Sequence, residues 1–116
     1  MSRSIIEYFN HIITELYFLR KASIGLDLDN FLQDDTLKRA FARSLEIIGE
    51  AVKAVPDEIR ISNPQVEWKA MAGMRDKLIH HYFGVDYELV WDIIENQLEE
   101  LTFQMENILE DLKKEK

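Results

Sequence analysis

Arg75, Asp76, His80 and Tyr82 lie within eight residues of one another, and their types and spacing are the part of this sequence able to do chemistry. At ~100° per residue a helix through this region lines up Trp68, Met71, Ala72, Leu78, Ile79 and Tyr82 as an apolar stripe, with Arg75 in its middle. A guanidinium at such a place must be paired or must face a cavity, so Arg75 is expected either to lock onto a carboxylate such as Glu50 or to meet an anion in a cleft. Asp76 and His80 stand four residues apart, where a carboxylate can orient an imidazole and favour its protonated form. The bland alternative is that His80 and His81 are ordinary surface histidines. Gly73 lies one heptad before His80. Since a glycine inside a helix costs ~1 kcal/mol against alanine, a close approach of another backbone or of a ligand is expected there. No Glu is followed by His three residues later and no His-Glu-x-x-His occurs, which sets aside a carboxylate-bridged di-metal bundle and zinc hydrolysis.

Helices must position these groups. Ser4 to Glu7 has capping-box spacing, and Ile5, Phe9, Ile12, Leu16 and Leu19 continue a helix to about Ala22. Residues 25–30 read as a turn. A second helix is expected from about Asp34 to Val55, with Leu37, Phe41, Leu45, Ile48 and Val52 along one face and Pro56 closing it. Asn63 before Pro64 predicts the start of a third helix running to His81 or Phe83, ended by Gly84. Asp86 can cap the last segment, in which a break is expected near Asn96. Four or five helices on short loops give an all-α antiparallel bundle, one domain over residues 1–116.

Composition agrees with that class. Two Pro and four Gly are too few for the reversals of a β-sandwich or barrel, and with no Cys there is neither a disulfide framework nor thiolate metal ligation. No apolar run reaches the ~18 residues of a membrane span, and Glu7, His11 and Glu15 interrupt any signal-peptide core, so no membrane partner is expected and the default location is cytoplasmic. The net charge is −8, with 14 Lys+Arg against 22 Asp+Glu; after residue 85 the counts are 3 and 10. Such a chain lacks the overall footprint of a general nucleic-acid binder, and any contact with a polyanion has to be local. The acidic C-terminal helix reads either as a solvated face or as a heptad partner surface.

The run from Gly73 through Arg75, His80 and Tyr82 to Asp86, with Trp68 upstream, Asp86-Tyr87 to Trp91 downstream, and the stretch Ser44 to Ala51 followed by Val55-Pro56, resembles HepT-like proteins of the HEPN superfamily over roughly residues 3–112. Members often carry Asn after the Arg, where this chain has Asp76. The resemblance implies the ribonuclease toxin of a type VII toxin–antitoxin pair: a homodimer that cleaves RNA, such as tRNA or mRNA, without metal or cofactor. It also implies a minimal nucleotidyltransferase antitoxin that silences the toxin by AMP transfer to Tyr82. The residues suit that chemistry. Attack by RNA's own 2′-hydroxyl needs a proton acceptor or donor titrating near neutrality, which His80 can be, and a cation at the phosphorane, which Arg75 can be. Five residues apart, they lie about 140° around one helix and do not converge well in a single chain, whereas a two-fold dimer across Gly73 brings both copies of each into one cleft. Lys38, Arg39, Arg43, Lys69 and Lys77 are a local basic supply, and Asp76 and Gly73 support the site. Tyr82 follows Arg75 by seven residues on the same face, so an adenylate there adds negative charge beside the guanidinium; a core tyrosine with a hydrogen-bonded hydroxyl is its plain alternative. The rival reading of the whole chain is an inactive helical module that supports a nucleotidyltransferase subunit.

Overall fold

The computed structural model describes residues 3–80 and 84–115. Eight helices occur among them: α1 (Arg3–Ser23), α2 (Leu28–Gln33), α3 (Asp35–Lys53), α4 (Asp57–Ser62), α5 (Trp68–Ala72), α6 (Met74–Leu78), α7 (Tyr87–Asn96) and α8 (Leu98–Lys114). Between α6 and α7 the strands β1 (Ile79–His80) and β2 (Gly84–Val85) pair antiparallel. The all-α expectation holds, with this two-residue ladder as a local addition.

The long helices form where the apolar period is strongest. Phe9, Ile12, Ile13, Leu16 and Leu19 bury the face of α1 against α3 and α8. Helix α1 already includes Ser4, which therefore does not stand outside it as a cap. Asp34 caps α3, its carboxylate accepting from the Leu37 N–H at 2.9 Å. Asp86 caps α7 as expected, accepting from the Leu89 N–H at 3.1 Å. The last segment breaks after Asn96, also as expected, with Gln97 joining α7 to α8. Phe31 stacks on Phe41 at 5.2 Å and tilts against Trp91 at 5.4 Å, so α2, α3 and α7 share an aromatic centre. The two buried hydroxyls are satisfied: Ser44 donates to the Glu15 carboxylate, and Thr102 donates to the Leu98 carbonyl at 2.7 Å. Tyr17 donates to Glu106, tying α1 to α8; that bond holds the phenol above its ordinary pKa. No helix among the described residues is long and apolar enough to cross a membrane.

Two expectations fail in the middle of the chain. Residues 25–30 are not only a turn: Gly25, at φ 74°, makes the reversal, but Asp27 then caps α2 by accepting from the Asn30 N–H at 2.8 Å. Asx turns and helix caps use the same carboxylate-to-amide bond, and six residues are too short for a helical period to declare itself. The single third helix from Pro64 is absent. Asn63 closes the unanticipated α4 instead of opening a new helix, its Nδ2 donating to the Ile59 carbonyl at 2.9 Å while its own carbonyl accepts from the Trp68 indole at 2.9 Å. Helical structure resumes at Trp68, stops at Gly73 and ends at Leu78, where the backbone of Ile79 turns extended, φ −109° and ψ 118°. Helix α3 ends at Lys53, ahead of Pro56 as expected, and Pro56 is also the N-cap residue of α4.

Candidate active site

Helix α3 presents Arg39, Arg43, Glu46 and Glu50 outward at steps of three and four residues, while Phe41, Leu45, Ile48 and Val52 fill the core behind them. Arg75 reaches this stripe from α6. Its Nε donates to Glu46 Oε2 at 3.1 Å, with the Arg75 side chain 54% exposed and that of Glu46 20%. Glu50, the carboxylate named from sequence, pairs with Lys53 at 3.3 Å instead. Arg75 is thus not buried in an apolar stripe. Across the joint at Gly73, Met71, Met74 and Leu78 follow at steps of three and four residues and face inward, and Arg75 lies outward. Of the two sequence alternatives the structure shows the first, with a carboxylate holding one edge of the guanidinium; among the described residues neither Nη has a partner.

Gly73 is also corrected. It joins α5 to α6 at φ −88°, ψ 6°, and within the chain an added Cβ would meet its own preceding turn, the Lys69 carbonyl at 3.3 Å, with no other helix's backbone close by among the described residues. The close backbone approach occurs at Gly49, where a Cβ would lie 3.1 Å from the Met71 carbonyl. Gly49 therefore lets α5 cross directly over α3 and brings the start of the Arg75 segment down onto the stripe.

His80 is on β1 rather than on a helix, with its backbone paired to Gly84. Neither the 140° separation from Arg75 nor the Asp76–His80 helical pairing applies, because α6 has ended two residues earlier. Asp76 is exposed beside Arg75. The ladder is extended by the Asp86 N–H donating to the Leu78 carbonyl at 2.7 Å, and Gly84 takes φ 76°, a left-handed backbone that side chains disfavour. The expectations on His81, on Tyr82, on a helix end at Phe83, and on the His80 side chain lie outside the described residues.

Glu46 is the residue that sequence reasoning missed. It stands in the quoted Ser44–Ala51 stretch, yet only the crossing of α5 and α6 over α3 shows which carboxylate the arginine meets. On the other flank of α6, a cavity of about 430 Å³ opens against α7 and α8, lined by Met71, Met74, Lys77, Leu89, Ile93 and Leu101 among others. No group of three or more His, Asp or Glu suited to a metal occurs among the described residues.

A helical fold in which an open arginine precedes a histidine by five residues defines the class, an all-α HEPN-like protein. The particular family follows from comparison: the model described as "Ribonuclease HepT-like" matches residues 5–108, and the chain belongs to that family. It is an enzyme of the ribonuclease class. The chain is 50% identical over 103 residues to the "Putative RNase TTE0752" of Caldanaerobacter subterraneus subsp. tengcongensis, covering 89% of this chain and 92% of the relative. It is 41% identical over 108 residues to the "Putative RNase MJ1216" of Methanocaldococcus jannaschii, covering 93% and 84%. With the "Probable ribonuclease HepT" of Thermococcus cleftensis it shares 35% over 108 residues, covering 93% and 98%. No solved structure matches the chain significantly.

Proposed function

We propose that this chain is the toxin of a type VII toxin–antitoxin pair, a metal-independent endoribonuclease acting on cytoplasmic tRNA or mRNA. Arg75 and His80 of two copies form its composite site, and AMP transfer to Tyr82 by a minimal nucleotidyltransferase antitoxin silences it. The observation that carries the reading is the Arg75 guanidinium, tethered through Nε to Glu46 with its Nη fork open, five residues before His80.

The 2′-hydroxyl oxygen bonds to the adjacent phosphorus as the bond from phosphorus to the 5′-oxygen of the next nucleotide breaks; His80 of one copy accepts the 2′ proton, and the protonated His80 of the other copy gives its proton to the leaving 5′-oxygen. A 2′,3′-cyclic phosphate remains. Charge gathers on the phosphorane oxygens as this happens, and a bidentate guanidinium with its orientation already fixed stabilises that charge more than the ground state. Gly73 supports the site as the joint between α5 and α6, two residues before Arg75, and Asp76 borders the anion position. A second copy supplies the other half of each pair in a homodimer. An adenylyl group on Tyr82 adds a phosphate that competes with RNA for Arg75.

Purified chain should cut a mixed-sequence RNA in the presence of EDTA, leaving 2′,3′-cyclic ends, and His80→Ala should abolish cutting; a variant as fast as the parent removes His80 from the site. Co-expression with the genomic neighbour should add an adenylyl mass to Tyr82. Expression alone should arrest growth, which an inactive supporting module would not do.

A further inference from the structure

We propose that Arg39 and Arg43 of α3 extend the Arg75 site into a phosphate-binding track for the RNA strand flanking the cleaved bond. The inference rests on the ribonuclease reading and adds to it where the strand lies on the protein.

The outward stripe of α3 has a definite electrostatic structure. Its two carboxylates are already engaged, Glu46 by Arg75 and Glu50 by Lys53. Its two arginines are not: both are exposed, and neither has a carboxylate within 4 Å among the described residues. Lys38, one residue from Arg39, is held differently, paired with Asp35 at 3.3 Å and lying over the Tyr87 ring at 4.9 Å, so it is committed to the fold. Four residues separate Arg39 from Arg43 and three separate Arg43 from Glu46, which gives rises of about 6 Å and 4.5 Å along one helix face. Arg75 is docked at the far end through Glu46. Three guanidinium groups thus follow one another along one side of the molecule, the first two unneutralised and the third with its Nη fork open.

The rest of the chain directs a polyanion to this side. From the start of α3 to the end of β1, residues 35–80 carry eight Lys+Arg against seven Asp+Glu, whereas the segment after residue 85 carries three against ten. RNA is repelled by α7 and α8 and finds its net attraction on α3 and α6. Arginine suits the task because its fork engages two phosphate oxygens at once and each such contact releases counterions. A protein partner is the other occupant such a stripe can take, in particular the acidic α8 of a second copy.

The test uses the full chain and a 2′-O-methyl RNA 20-mer, which keeps the phosphates and lacks the attacking hydroxyl. Arg39→Gln/Arg43→Gln should lower affinity at least tenfold at low salt. It should also reduce the slope of log K against log salt by about 1.4, at about 0.7 per single-strand phosphate contact. Arg39→Lys/Arg43→Lys, which keeps the charge, should retain most of that slope, and Lys113→Gln/Lys114→Gln on α8 should leave it unchanged. Cleavage of long RNA should fall in the double Gln variant, while cleavage of a dinucleotide that spans only the scissile bond should not. A double Gln variant that keeps the parent slope, in a parent that does cut RNA, overturns the track. A variant that changes the oligomeric mass in light scattering and not the slope overturns it too, assigning the stripe to a protein contact. A parent that neither binds nor cuts RNA overturns the ribonuclease reading, and the track with it.

Discussion

The Arg75–Glu46 contact separates stability from activity cleanly. With Arg75 more than half exposed, the ion pair contributes only about 0–1 kcal/mol to folding. In the proposed reaction its consequence is orientation: one edge of the guanidinium is fixed and the other is left for phosphate. Glu46→Ala should therefore leave the thermal midpoint within a few degrees of the parent while lowering kcat for RNA cleavage by roughly ten- to a hundredfold, less than the loss of the cation itself, for which about 10²–10³ is typical of a removed transition-state donor. Glu46→Gln, still able to accept from Nε, should recover part of the rate. Equal kcat values for the Ala variant and the parent would show that Glu46 does not position Arg75. This pairing was only half legible in sequence. The neighbours of Arg75 in the chain suggested a carboxylate or an anion on a premise of burial that the structure does not meet, and the choice between Glu46 and Glu50 depends on the height at which α6 crosses α3.

At the scale of elements, two glycines carry the site. Gly49→Ala places a methyl 3.1 Å from the Met71 carbonyl, a backbone atom that cannot swing aside, so α5 must move off α3 at a cost of about 1–3 kcal/mol. Urea denaturation should show the lost stability, and the displaced α5 and α6 should also weaken RNA cleavage. Gly84→Ala meets open space but is held at φ 76°, so its penalty of about 1–2 kcal/mol comes from the backbone alone. Gly84→Asn, which tolerates left-handed φ, should be the milder of the two when their unfolding midpoints are compared. The sequence pointed to Gly73 as a place of close approach and to Gly84 as a helix end, and held Gly49 only as one residue of the Ser44–Ala51 stretch. A glycine that admits another helix cannot be told from any other small residue until the crossing is seen.

For the molecule as a whole, the core and the charge act on different faces. Phe31 joins α2 to α3 and α7 with no exposed surface, so Phe31→Ala should cost about 3–5 kcal/mol and lower the thermal midpoint by 10 °C or more. A loss under 1 kcal/mol by denaturant titration would mean that the aromatic centre does not tie these helices together. The all-α class, the long helices α1, α3 and α8, the cap at Asp86 and the break after Asn96 could all be read from sequence, because each is set by local periodicity or by a bond reaching three residues along the chain. The segment from Asn63 to Asp86 could not be, since its short helices and hairpin answer to partners far away: Gly49 beneath α5, Glu46 beside Arg75, and the α7 and α8 wall behind Met74. The chain alone determined that an arginine and a histidine five residues apart sit in a helical protein of this family. Tertiary structure decided that the arginine faces outward onto α3 and that the histidine follows on a strand, because the crossing of α5 and α6 over α3 and the end of α6 at Leu78 depend on long-range packing.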